Sequence, residues 1–274
     1  MSFFSRPSRT EVALIALITV AFWGSRTWPD TPPSGITEPT AGVAANTEAV
    51  ATVSAATVTA IPPDLASCDF RDEIDRVRGA TVLVFATYAD GTGAAGTGFH
   101  LGNGEYVTAA HVVLDDGGRR AQSVLITSYV TQQQQTASIE SVGTSPSEGW
   151  GRDLARLRSS DINDSVTSRA PGPDDVDRDV RATGYPWSLA DDGAVLPPPI
   201  VVRGTLASAS SVNGIEVVQF SGRVEQGMSG GPLVDECGTV LAVTSGAALR
   251  ADDSGTLREG FAVFISMAEF ERLP

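Results

Sequence analysis

The sequence predicts an all-β domain of two six-stranded antiparallel barrels, carried behind an N-terminal apolar helix and a disordered linker. Three observations predict it. Short apolar and β-branched runs recur between turn residues, six before residue 159 and six after residue 177. Turns that favour positive φ, Gly102-Asn103-Gly104 and Asn213-Gly214, separate neighbouring runs. Between the two sets, Ser159 to Asp177 is polar, carries Pro171-Gly172-Pro173, and serves as a crossover. Closing each set into a barrel removes exposed sheet edges.

Taken in order, a short helical stretch near Asp69 to Arg78 precedes the first set. Its strands are expected at Thr81–Tyr88, Ala95–Leu101, Glu105–Ala109, Gln122–Val130, Thr136–Val142 and Asp153–Arg158. The second set falls at Asp179–Gly184, Ile200–Ala207, Ile215–Phe220, Gly231–Asp235, Val240–Ser245 and Phe261–Ile265. Barrel one thus occupies about 79–160 and barrel two about 178–274, within a folded domain of 67–274. Ser266 to Leu273 reads as a short C-terminal helix, after which no sequence remains for a further domain.

Upstream, Arg6 and Arg9 form a basic start (residues 1–10), followed by an apolar run within 11–28 that is strongest from Val12 to Trp23. The length of that run fits a signal-peptide core, since a spanning helix needs about 20 residues. No small-residue cleavage site follows it, however. Extension from Phe3-Phe4 to Trp28 gives a single anchor, so signal anchor and cleaved signal peptide both stand. Either reading exports the rest of the chain and gives it an extracytoplasmic location. Residues 29–66 are rich in Ala, Thr and Pro with almost no aromatics, a composition that cannot bury enough surface to order itself. The segment reads as a flexible stalk.

Composition excludes some partners. The formal net charge is −14, which argues against nucleic acid. All 19 basic residues are Arg, a bias to which no function is attached. The two cysteines, Cys68 and Cys237, form an even pair suited to one disulfide in an exported protein, the alternative being two buried thiols. Two Cys and two His offer no zinc-type spacing, so neither a metal nor a cofactor is expected.

The chemistry lies in Gly227-Met228-Ser229-Gly230-Gly231. Glycines on both sides of Ser229 let the backbone turn so that the amides of Gly227 and Ser229 point at one spot, where an oxyanion would sit. A serine nucleophile needs a base within reach. His111 is favoured for that role over His100: Ala109-Ala110 leave room for a tight turn after a strand, whereas His100 ends a strand and reads as a surface or rim residue. Asp153 is the acid of choice because an alternating strand with Leu154 and Leu157 follows it, while Asp161, Asp164 and the 174–179 acids sit in a polar loop and look solvated.

The stretches Val107-Thr108-Ala109-Ala110-His111-Val112-Val113, Arg152-Asp153-Leu154-Ala155-Arg156-Leu157 and Gly227-Met228-Ser229-Gly230-Gly231-Pro232-Leu233 resemble the three signatures of trypsin-like (chymotrypsin-fold) serine proteases, especially the bacterial Deg/HtrA-type branch. Gly96-Thr97-Gly98-Phe99, Thr183-Gly184-Tyr185-Pro186, Val243-Thr244-Ser245-Gly246 and Gly260-Phe261-Ala262-Val263 resemble further family strands in the same order. The resemblance spans about 75–270 and lacks the peptide-binding domain of multidomain members. It implies a serine endopeptidase with a triad of His111, Asp153 and Ser229, an oxyanion hole of Gly227 and Ser229, and protein or peptide substrates. It also implies a specificity pocket with Arg223 at its base and Thr244, Ser245 and Gly246 as a wall. Arg223 either enters that pocket or pairs outward. Digestive members carry an acid before the nucleophile that pairs with a newly cut N-terminus; Met228 cannot do so. The catalytic domain reads as monomeric, with the membrane met only by the N-terminal segment. Two other readings remain: a trypsin-fold binding module without activity, and an esterase using the same triad.

Overall fold

A computed structural model of the chain describes residues 68–144, 151–161, 164–187, 195–251 and 257–274. The apolar run and linker assigned to residues 1–66 lie outside the described residues. Among the described residues, no helix is long and apolar enough to cross a membrane.

Helix α1 (Phe70–Ala80) opens the domain. Asp69 caps it, its carboxylate accepting from Arg71 N at 2.9 Å, and Asp72 and Glu73 place negative charge in the first turn where the helix dipole favours it. Six strands follow: β1 (Thr81–Thr87), β2 (Gly93–Gly102), β3 (Glu105–Thr108), β4 (Ser123–Ser128), β5 (Gln134–Val142) and β6 (Ala155–Arg158). Between β3 and β4 lies a one-turn helix, α2 (Ala110–Val113). The second set is β7 (Asp179–Gly184), β8 (Ile200–Val212), β9 (Ile215–Phe220), β10 (Pro232–Val234), β11 (Val240–Ala251) and β12 (Leu257–Ser266).

Both sets close into barrels, in the orders β1-β2-β3-β6-β5-β4 and β10-β11-β12-β9-β8-β7. Read from their first strands, the two orders are the same topology used twice. All twelve strands overlap the runs the sequence pattern predicts, with ends moved by up to six residues, the largest at the end of β11. The Asn103 and Asn213 turns take φ of 53° each, followed by glycines at 73° and 80°, which is the mirror-image turn geometry that a twisted hairpin needs.

The strands that face the second barrel are buried on both sides. On β3, Tyr106 fills barrel one with Val84 and Ile126, while its neighbour Val107 turns to a shared cluster with Phe99 and Leu154. On β12, Phe264 fills barrel two beside Phe220, whereas Val263 and Ile265 join that shared cluster. Burying each such side chain contributes about 1.5–3 kcal/mol, so the seam between barrels is itself a core. Helix α1 seals this seam with Phe70, Ile74 and Val77, spaced to share one helix face. Cys68, just ahead of the helix, is bonded to Cys237 in the β10–β11 turn, and Arg76 donates to the Cys237 carbonyl at 3.1 Å.

One expectation is sharpened and one corrected. The short C-terminal helix is a 3₁₀ helix, Met267–Glu269, capped by Ser266, with Met267, Glu269 and Phe270 all drawn inward. His100 is not at the surface: it is 2% exposed and its ring stacks on Tyr106 at 4.5 Å. The crossover folds over it, with the Asp164 carbonyl at 3.0 Å from Nδ1 and Asp161 Oδ1 at 2.9 Å from Nε2. Asp161 and Asp164 are therefore partners of His100 as well as loop acids.

Candidate active site

The turn after β3 sets His111. Ala109 and Ala110 are fully buried, so the turn into α2 packs against the barrel. Tyr88 fixes the other end of that turn, its hydroxyl donating toward the carbonyls of Val112 and Leu114 at 3.2 and 3.1 Å. Burial, helped by nearby Asp115, pushes the Tyr88 phenol up to about 12, so it stays a donor. Sequence reasoning missed Tyr88, since a tyrosine at a strand end carries no signal of its partners.

Asp153 lies in the turn that leads into β6 and is 1% exposed. Its Oδ1 accepts from His111 N at 2.9 Å, and its Oδ2 lies 2.8 Å from His111 Nδ1. Ser245 Oγ, from β11 of the other barrel, donates to the same Oδ2 at 2.6 Å. Three donors satisfy a carboxylate that would otherwise be costly to bury. The adjacent Arg152 anchors the turn: its Nε donates to Glu269 Oε2 at 2.7 Å, and Glu269 is itself fully buried. Burial acts to lower the His111 pKa, but the charge and hydrogen bond of Asp153 outweigh it, so the imidazole is raised above its ordinary value.

Ser229 sits in the loop before β10. Thr97 N on β2 donates to its carbonyl at 2.7 Å. A Cβ on Gly96, the preceding β2 residue, would meet Ser229 O at 2.9 Å and Val112 Cγ2 at 2.6 Å. Only a glycine there lets the Ser229 segment and the His111 turn close on the same strand. Val112, the neighbour of His111, and the Ser229 carbonyl therefore both pack against Gly96, where the two barrels meet. Among the described residues, neither the Ser229 hydroxyl nor His111 Nε2 makes a hydrogen bond within the chain, as is common before substrate binds.

The loop is held peptide by peptide. Gly227 and Gly230 take φ of 96° and 87°, which the glycines flanking Met228-Ser229 make affordable. Met228 N donates to Glu225 O at 3.1 Å, Gly230 N to Thr244 O at 2.7 Å and Gly231 N to Met228 O at 2.9 Å. Trp187 N holds the Gln226 carbonyl at 2.8 Å, which in a trans peptide turns the Gly227 N–H the opposite way. Among the described residues, Gly227 N and Ser229 N have no acceptor in the chain. Met228 is fully buried in the barrel-two core, so the residue beside the nucleophile is an apolar anchor.

The residues named for the specificity pocket have these surroundings. Arg223 is exposed and forms no ion pair among the described residues. Thr244 is 1% exposed, with Oγ1 donating to Gly231 O at 3.0 Å, and Ser245 is turned to Asp153. Gly246 faces open space, with nothing within 4 Å of where its Cβ would stand. Among the described residues, no group of His, Cys, Asp and Glu could hold a metal ion.

Two like six-stranded barrels, with Asp153 bonded to His111 on one and the Ser229 loop ahead of β10 on the other, are the arrangement of a trypsin-like peptidase domain. A family model described as a trypsin-like peptidase domain matches residues 96–243, and the chain belongs to that family. No curated protein matches it. Among solved structures, it is similar to the active form of the Rv3671c protease from M. tuberculosis, at 21% identity and a TM-score of 0.57, covering 83% of this chain and 92% of that one. It is also similar to the serine endoprotease from Yersinia pestis, at 20% identity and a TM-score of 0.55, covering 76% of this chain and 65% of that one. The HtrA-type protease AlgW with tripeptide matches at 19% identity and a TM-score of 0.54, covering 73% and 60%. The chain thus spans less than two thirds of the length of these last two. At such identities the likeness speaks for the fold.

Proposed function

We propose that the chain is an exported serine endopeptidase that cleaves protein or peptide substrates with His111, Asp153 and Ser229. The observation that carries this reading is Asp153 held between His111 Nδ1 at 2.8 Å and the second barrel, together with a serine loop in which the Gly227 and Ser229 amides have no acceptor among the described residues. Asp153 keeps the proton on His111 Nδ1, leaving Nε2 as the base. On substrate binding, Nε2 takes the Ser229 proton as Oγ adds to the peptide carbonyl carbon. The carbonyl oxygen becomes an oxyanion facing Gly227 N–H and Ser229 N–H, and losing such a donor costs about 10²–10³ in rate. His111 then passes its proton to the departing amine, breaking the C–N bond. Water, deprotonated by His111, releases the acyl group from Ser229.

Because Met228 belongs to the core and cannot pair with a new N-terminus, the loop needs no zymogen-type cleavage. Export is supported by the N-terminal apolar run and by the Cys68–Cys237 disulfide, which persists in oxidising compartments. The tether at residues 11–28 and the monomeric state of the catalytic domain belong to the same proposal. The test is digestion of an unfolded protein such as reduced casein by the wild type and by Ser229→Ala. Cleavage by the wild type alone supports the reading; cleavage by neither, in a folded preparation, favours a binding module.

A further inference from the structure

Thr97 occupies an unusual place for a first-barrel residue. It is fully buried on β2, and it bonds to the serine loop of the other barrel from both its backbone and its side chain. Its N–H donates to the Ser229 carbonyl at 2.7 Å, and its hydroxyl donates to the Gly227 carbonyl at 2.8 Å. The same hydroxyl oxygen accepts from Tyr185 N at 2.9 Å. Thr108 Oγ1 donates to the Thr97 carbonyl at 2.7 Å and holds the residue in place. The space around the hydroxyl is closed: a Cβ on Gly184 would meet Thr97 Oγ1 at 3.0 Å and Met228 Cα at 3.1 Å.

Gly227 has two free torsions and sits at a φ of 96°. Where its N–H points is therefore set by what grips the peptides on each side of it. The peptide before it is gripped at the Gln226 carbonyl by Trp187 N–H. The peptide after it is gripped at the Gly227 carbonyl by the Thr97 hydroxyl. Tyr185, whose N–H that hydroxyl also receives, lies two residues before Trp187. One side chain thus braces the Gly227 carbonyl directly and the Trp187 segment at its root. We propose that the Thr97 hydroxyl is a positioning residue for the oxyanion pocket, through which the first barrel holds Gly227 N–H on the reacting carbonyl. This rests on the endopeptidase reading above.

Valine has the shape of threonine but cannot donate. With Val at position 97, the Gly227 carbonyl and the Tyr185 N–H lose their partner in a closed space, and the cheapest relief is rotation at Gly227. The test compares full-length wild type, Thr97→Val and Thr97→Ser on one peptide substrate and with a peptide aldehyde, which needs the oxyanion pocket to bind tightly. Thr97→Val is expected to lower kcat by about 10-fold or more and to weaken the aldehyde by a similar factor, with KM within about twofold. The acid limb of its pH profile stays in place, because His111 and Asp153 are untouched. Thr97→Ser restores kcat to within about threefold. Fluorophosphonate labelling of Ser229 in the same wild-type preparation separates the two claims. Without that label the endopeptidase reading fails; with it, wild-type kcat and aldehyde affinity in Thr97→Val overturn the role of Thr97. Should Thr97→Val not fold, Thr97→Ala against Thr97→Ser isolates the hydroxyl, and equal activity in those two overturns it.

Discussion

Ser245 in the second barrel donates a 2.6 Å hydrogen bond to Asp153 of the first, on the same oxygen that lies 2.8 Å from His111 Nδ1. The acid that orients the histidine is therefore positioned by both barrels, and the geometry of the base depends on their docking. Ser245→Ala removes that donor and leaves a buried carboxylate short of one bond. A hydrogen bond to a charged group is worth about 1.5–3 kcal/mol, so kcat/KM is expected to fall by roughly 10- to 100-fold. Steady-state kinetics on a peptide substrate measure it, and activity unchanged from wild type would contradict the shared anchoring.

The pH dependence of activity has a defined sign. As the proposed base, His111 works only when neutral, and Asp153 raises its pKa above the ordinary 6.5 despite burial. Activity should therefore be lost on acidification through a midpoint above that value. In Asp153→Asn the charge is gone and burial acts alone, so the midpoint should move down while kcat collapses. The folded-state contribution of the His111–Asp153 pair runs the other way: it is fully present below the unfolded histidine pKa and fades as pH rises through the folded one. A kcat/KM profile of wild type from pH 4 to 9 checks the first point.

Glu269 should tie the end of the chain to the active-site turn. Burial works against its charge, but hydrogen bonds from Arg152 and the Glu216 amide, with Arg152 and Arg272 nearby, hold its carboxyl below the ordinary range. Glu269→Gln leaves Arg152 without its charge partner. Breaking a fully buried pair costs about 3–5 kcal/mol; with Arg152 and Arg272 partly exposed, about 2 kcal/mol is expected. Since the folded pKa is depressed, the wild-type contribution is present above the unfolded glutamate pKa and is lost as pH falls through the folded one. Urea unfolding at pH 7 and pH 4 should show the wild-type advantage shrinking at the lower pH.

Much of this was legible in the sequence, for a physical reason. Strands such as β3 and β12 bury both faces, so their apolar runs stand out, and Asn103-Gly104 and Asn213-Gly214 mark hairpins whose φ values no other residue pair takes as readily. The motif residues His111 and Asp153 come together because strand order carries them to one barrel rim. What the sequence hid depends on long-range docking. The burial of His100 follows from the crossover returning over β2, and the turning of Ser245 to Asp153 follows from barrel meeting barrel. No local pattern encodes either contact.

Met228 should matter for folding rather than activation. Its side chain is fully buried against the barrel-two core, so Met228→Ala is expected to cost about 2–5 kcal/mol. Met228→Asp would place an unpaired carboxylate in the same site and cost more, without installing a zymogen switch. Thermal melts of both variants, alongside activity of a chain bearing an N-terminal tag, test the pair of claims. Strict dependence of activity on one processed N-terminal residue would contradict the reading of Met228.

The central claim is that His111 activates Ser229 in front of the Gly227 and Ser229 amides. The rate of fluorophosphonate attachment reads that chemistry without knowledge of the natural substrate. Wild type should label at Ser229, His111→Ala should label at least about 10²-fold more slowly, and Ser229→Ala not at all. Labelling of the histidine variant at the wild-type rate, or a label on any residue other than Ser229, would contradict the account.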